Sequence, residues 1–242
     1  MPTLLLIAHG SRDPRHAATV AALVEQVRAQ RPALEVATAY LDHCAPRIPQ
    51  VVGRLADAVA VPLLLNRAFH AKHDIPAALR AAGSSLPLAD VLGPSPLLLA
   101  ALDRRLAEAG LDLGSAAVRS RTGVVLAAAG SSDPAADAAT RAVAAEWRRT
   151  RGWAAAEVAY ASAAGPRVPD ALAALRAAGA THTAVAPYLL APGLLPDRIA
   201  AASTDADTVA DPLGPAPELA ALLLQRYDRA RLTAPVVRAL TA

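Results

Sequence analysis

A single cysteine, Cys44, among 242 residues excludes an internal disulfide, so a reducing compartment, the cytoplasm, is the expected setting. Aromatic residues are only 3% of the chain and no basic run is interleaved with them, which argues against a nucleic-acid partner. Long apolar runs are missing as well. Leu4 to Ala8 gives way at once to His9, Ser11, Arg12 and Asp13, and nowhere do about 18 uncharged apolar residues follow one another. Neither a membrane span nor a signal peptide is therefore expected. There is no His-rich tail and no cysteine cluster, which excludes metal storage and an iron–sulfur centre.

What is present is a hydrophobic content of 54%, ample for a packed core, and a net charge of +3 carried almost wholly by arginine rather than lysine. Arginine suits carboxylate or phosphate recognition. The length fits one large domain or two of roughly 120 residues, and an internal repeat decides between them. A shift of 120 sets "LIAHGSRDP" (6–14) on "LAAAGSSDP" (126–134) and "AYLDHCAPRIP" (39–49) on "AYASAAGPRVP" (159–169). Shifts of 125 and 121 then set "VPLLL" (61–65) on "APYLL" (186–190) and "DVLGPSP" (90–96) on "DPLGPAP" (211–217). Four matches in one order indicate two homologous halves, 1–115 and 120–242, joined near 111–122.

Each half alternates short apolar strands with Ala/Leu-rich helical stretches, the pattern of an α/β fold with two similar domains, each a mostly parallel sheet flanked by helices. In the first half strands are expected near 3–8, 34–40, 59–65 and 88–92, and helices near 14–29, 46–57, 75–82 and 96–109. Asp13-Pro14 and Asp133-Pro134 read as N-cap and N1 pairs, and Asp74 and Asp197 read as N-caps. His9 then stands at the carboxyl end of the first strand, the edge of an open α/β sheet where ligands bind.

The repeat also supplies a control. His9 corresponds to Ala129 while Gly10, Ser11, Asp13 and Pro14 recur as Gly130, Ser131, Asp133 and Pro134, so the fold accepts alanine there. In "LLNRAFHAKHDIP" (64–76), set against "LLAPGLLPDRI" (189–199), His70 faces Gly193; Asp42, His43 and Cys44 likewise belong to the first half alone. His16 and His182 are assigned no part in the chemistry. The first half thus gathers His9, Asp42 and His70 at three strand ends. Two imidazoles and a carboxylate suit Fe²⁺, Co²⁺ or Zn²⁺ and not Mg²⁺.

These segments resemble the sirohydrochlorin chelatases of the CbiX type, class II chelatases related to protoporphyrin ferrochelatase and anaerobic cobalt chelatase. "AHGSRDPR" and "FHAKHDIP" are the most specific stretches, and the likeness runs over essentially the whole chain. Asp42, in "AYLD", stands where the family often has Glu, and "NRA" replaces a more glycine-rich stretch. The resemblance implies a cytoplasmic lyase that inserts Fe²⁺ or Co²⁺ into sirohydrochlorin, a reduced tetrapyrrole rich in carboxylates, for sirohaem or cobalamin synthesis. The metal is then a substrate, and no tightly bound cofactor, nucleic acid or membrane is involved. It further implies that His9 and His70 contact the metal and take the pyrrole protons, with Asp42 as a third ligand. Leu64, Leu65, Asn66, Arg67, Ala68 and Phe69 would line the macrocycle. Ser11, Arg12, Arg47 and Arg198, with Arg15 and Lys72 nearby, lie where substrate carboxylates could be paired.

Two other readings share parts of this pattern. A histidine phosphatase expects Arg immediately before His-Gly, and the residue here is Ala8. A metal or tetrapyrrole carrier would bind without turnover, which only an assay separates from an enzyme.

Overall fold

The computed structural model describes residues 1–66, 70–162 and 165–233. The first half runs β1 (Thr3–Ala8), α1 (Pro14–Gln30), β2 (Val36–Tyr40), α2 (Ile48–Val52), β3 (Ala58–Pro62), a π-helical turn (His70–Asp74), α3 (Ile75–Ala81) and α4 (Pro96–Glu108). A short α5 (Ala116–Arg119) leads into the second half: β4 (Thr122–Ala128), α6 (Pro134–Arg151), β5 (Ala155–Tyr160), α7 (Val168–Ala177), β6 (His182–Pro187), α8 (Leu194–Ala201), β7 (Thr208–Val209) and α9 (Pro217–Thr233). All paired strands are parallel, in the orders β2-β1-β3 and β5-β4-β6-β7.

The repeat is visible bond by bond. The Leu63 amide donates to the Ile7 carbonyl at 2.8 Å and the Tyr188 amide to the Ala127 carbonyl at 2.7 Å. Asp13 and Asp133 cap α1 and α6, each accepting from the amide two residues on, with proline following as expected. Leu4 to Ile7 are fully buried because both faces of β1 are covered, and alternation decides which core each joins. Leu4 and Leu6 face a core shared by both halves, whereas Leu5 and Ile7 face a core under α2 and α3. Val124 and Leu126 against Val125 and Ala127 repeat this in β4.

The shared core is filled by α1, α4, α6 and α9. The halves exchange their last helices across it: α4 packs against β6 and α9 against β3. Tyr227 of α9 donates its hydroxyl to the Pro2 carbonyl at 2.6 Å.

Several expectations need correction. The strand expected at 88–92 is reduced to a bridge between Leu88 and Ala60, since Pro87 has no amide to donate and Gly93-Pro94 follows. Pro62 likewise ends β3 before residue 65. The helix expected over 46–57 covers only Ile48–Val52 and stops at Gly53. Asp74 is the N-cap of α3 as expected but makes no side-chain capping bond, because the π-helical turn runs straight into the helix. Asp197 lies inside the first turn of α8, whose N-cap is Gly193; Pro196 is tolerated there since first-turn amides lack helical acceptors. No helix among the described residues is long and apolar enough to cross a membrane.

Candidate metal-handling site

With the order β2-β1-β3, the chain steps from β1 to β2 on one side and then crosses to β3 on the other, and the carboxyl ends of β1 and β3 beside this reversal are where such sheets receive ligands. His9 follows β1 there. The Leu41 amide donates to the Ala8 carbonyl at 2.9 Å and the Asp42 amide to the His9 carbonyl at 2.8 Å, so the loops after β1 and β2 are sewn together beneath the imidazole. Gly10 makes this possible. Its φ is +93°, and a β-carbon there would stand 1.7 Å from the Asp42 carbonyl oxygen. Cys44 completes the seam, its thiol donating to the Ser11 carbonyl at 3.0 Å and its sulfur accepting the Ser11 amide at 3.4 Å.

His9 Nδ1 lies 3.1 Å from the Gly10 carbonyl oxygen. A carbonyl only accepts, so this bond requires hydrogen on Nδ1 and leaves the lone pair on Nε2, the form that can bind a metal or take a proton. The neighbouring ring is that of His43, 6.3 Å away between centroids and tilted by 31°. His43 reaches this place through a left-handed backbone, φ 60°, which sequence reading does not reveal. Asp42 Oδ1 accepts the His43 amide at 2.8 Å and Arg47 Nη1 lies 2.9 Å from the same oxygen. The amide first, and Arg47 second, hold the Asp42 carboxyl below its ordinary range, so it is an anion already committed to these donors. Arg47 also donates to the Leu41 carbonyl.

Ser11 Oγ accepts the Asp13 amide at 3.1 Å and is part of the turn into α1. Arg12 and Arg198 are exposed. The Leu64 and Leu65 carbonyls accept the Leu92 and Gly93 amides, and Asn66 Nδ2 donates to Thr140 Oγ1 of α6 at 2.9 Å, tying this loop to the other half. Arg67, Ala68, Phe69 and the His70 side chain lie outside the described residues; the His70 backbone opens the π-helical turn, a rare element that recurs at functional sites. Among the described residues, no three His, Cys, Asp or Glu side chains gather closely enough to hold a metal ion.

His16 stands in the first turn of α1. Its ring is 6.4 Å from that of Tyr40, and Nδ1 is buried without a hydrogen-bond partner among the described residues. Burial first, and the nearness of His9 second, push its pKa below 6.5. The folded protein therefore resists a proton that the unfolded chain accepts, and stability is lost as pH falls through and below 6.5. Between about pH 7 and pH 5 the melting temperature of the wild type is expected to fall more than that of His16→Gln. Parallel curves for the two proteins would contradict this.

The family model described as CbiX matches residues 3–109 and again 123–230. A sirohydrochlorin ferrochelatase of Priestia megaterium is 28% identical over 209 residues, 82% of this chain and 77% of that one. A sirohydrochlorin cobaltochelatase of the same organism is 27% identical over 224 residues, 82% of this chain and 67% of that one. The solved structure of SirB from Bacillus subtilis with Fe³⁺ superposes with a TM-score of 0.78 at 22% identity, over 95% of this chain and 96% of that one, which establishes the fold.

Proposed function

The chain belongs to the CbiX family, and on that premise we propose that it is a sirohydrochlorin chelatase, a lyase that inserts Fe²⁺ or Co²⁺ into sirohydrochlorin for sirohaem or cobalamin synthesis in the cytoplasm. One observation carries the reading. The bond from the Asp42 amide to the His9 carbonyl, 2.8 Å, is repeated in the second half by the Ser162 amide and the Ala129 carbonyl, also 2.8 Å. The same carbonyl is held by the same amide with and without an imidazole on its residue, which supports a chemical rather than a structural part for His9.

Insertion exchanges two macrocycle N–H protons for one dication, so charge is balanced. The protein's part is to strip water from the metal and accept the protons. Neutral histidine does both, since its unperturbed pKa near 6.5 leaves a lone pair available at neutral pH. We assign these roles to His9 and His70, with Asp42 supplying negative charge beside them and His43 bordering His9. Leu64 to Phe69 would line the macrocycle, and Ser11, Arg12, Arg47 and Arg198 would meet its carboxylates.

Anaerobic assays with each metal and each macrocycle test the proposal. Both Fe²⁺ and Co²⁺ are expected to be inserted, since two imidazoles and a carboxylate have little means of rejecting either by geometry. Sirohydrochlorin is expected to be strongly preferred over protoporphyrin, which has fewer carboxylates for the arginines. Equal turnover of protoporphyrin would sink the substrate assignment. Product limited to one equivalent per protein would mean a carrier.

A further inference from the structure

Among the described residues, two ion pairs join the halves near the histidine edge. Arg15, in the first turn of α1, lies between Asp13 and Asp197 of α8, its Nη2 2.6 Å from a carboxylate oxygen of each. Lys72, in the π-helical turn, has Nζ 2.7 Å from Oδ2 of Asp133, the N-cap of α6. The repeat relates the two contacts. Asp13 matches Asp133, and Asp74, two residues after Lys72, matches Asp197. In each case the turn after one half's first strand is tied to the segment after the other half's third strand, so a pseudo-twofold pair of clasps joins the halves at this edge. Beside one of them, a β-carbon on Gly193 would be 4.0 Å from that of Asp13, so the halves touch there.

These pairs are poorly suited to holding the halves together. The side chains of Arg15 and Asp197 are 51% and 54% exposed and those of Lys72 and Asp133 37% and 29%, and such pairs contribute little to stability. The shared apolar core already joins the halves. Nor is Asp133 needed in this contact as a cap, since Oδ1 accepts the Ala135 amide at 2.9 Å while Oδ2 takes Lys72. The chain has one lysine, and it stands here.

We propose that Arg15 and Lys72 are specificity-determining cations at this edge, Arg15 held by Asp13 and Asp197 and Lys72 by Asp133, and that each exchanges the other half's aspartate for a substrate carboxylate as the macrocycle enters, Arg15 keeping its bonds to Asp13. The proposal rests on the chelatase reading for the identity of the polycarboxylate. Each exchange replaces one carboxylate by another, so both cations stay neutralised, and the released aspartates, being partly exposed, return to water at little cost.

The test is equilibrium binding of metal-free sirohydrochlorin to the full chain, at fixed salt, by absorbance titration. Asp197→Asn and Asp133→Asn are expected to tighten binding about threefold, and Arg15→Gln and Lys72→Met to weaken it about tenfold. The tightening is expected to vanish in Arg15→Gln/Asp197→Asn and Lys72→Met/Asp133→Asn, because it depends on the freed cation. Weakening by both members of a pair, as a purely structural clasp gives, overturns the proposal. So does tightening that persists without the cation, which marks a general charge effect. Binding is read without metal, so the two readings fail separately. A wild type that binds but never inserts metal overturns the chelatase reading alone; turnover with like-signed effects overturns the clasp alone; absence of binding overturns both.

Discussion

Alanine in place of His9 is expected to slow metal insertion at least about a hundredfold while the protein stays folded. The second half already carries this variant: Ala129 follows the corresponding strand, precedes a matching left-handed glycine, Gly130 at φ 92°, and keeps the corresponding carbonyl bond at 2.8 Å. The melting temperature of His9→Ala should therefore stay close to that of the wild type, and the loss should fall on turnover. His70→Ala is expected to behave alike, its counterpart being Gly193. Steady-state insertion into sirohydrochlorin, with a thermal melt of each variant, makes the check. Wild-type turnover in a folded His9→Ala protein would remove His9 from the chemistry and with it the observation on which the functional proposal stands.

Gly10→Ala is expected to damage both fold and activity. The residue's φ of +93° is strained for any side chain, and the added carbon would lie 1.7 Å from the Asp42 carbonyl oxygen and 2.9 Å from its carbon. Those are backbone atoms of the loop sewn to His9 and Ser11, and no rotamer change relieves the overlap. The loops after β1 and β2 must part, breaking the Asp42 to His9 bond and the Cys44 to Ser11 contacts. A cost on the order of 3 kcal/mol follows from the backbone strain and the forced shift together. Because His9 is the adjacent residue, insertion is expected to fall by about a hundredfold, as displacing a reacting group by an ångström does. Thermal unfolding and turnover measured on one preparation test it; a variant matching the wild type in both would mean that the seam beneath His9 is not needed.

Much of the architecture was legible because it is written in local patterns. Leu4 to Ile7 and Val124 to Ala127 are runs that only a strand covered on both faces can bury, and Asp13-Pro14 and Asp133-Pro134 start helices through contacts two residues long. The comparison of His9 with Ala129 needed nothing beyond the repeat. Where local reading failed, the deciding fact was again local but outweighed: Asp197 resembled an N-cap, yet α8 begins earlier, at Leu194.

The tertiary structure alone decided what meets across the chain. The exchange of α4 and α9 between the halves, the His43 ring beside His9, and the pairs Arg15–Asp197 and Lys72–Asp133 have no signature in composition or periodicity. Periodicity fixes which face of an element is apolar, because burial rewards it whatever lies opposite. Which polar groups then face one another is set by how the two sheets dock and by single backbone angles such as the φ of 60° at His43. Arg15 and Asp197 are 182 residues apart in the chain, and their meeting is a consequence of packing many apolar side chains, none of which names its polar neighbours.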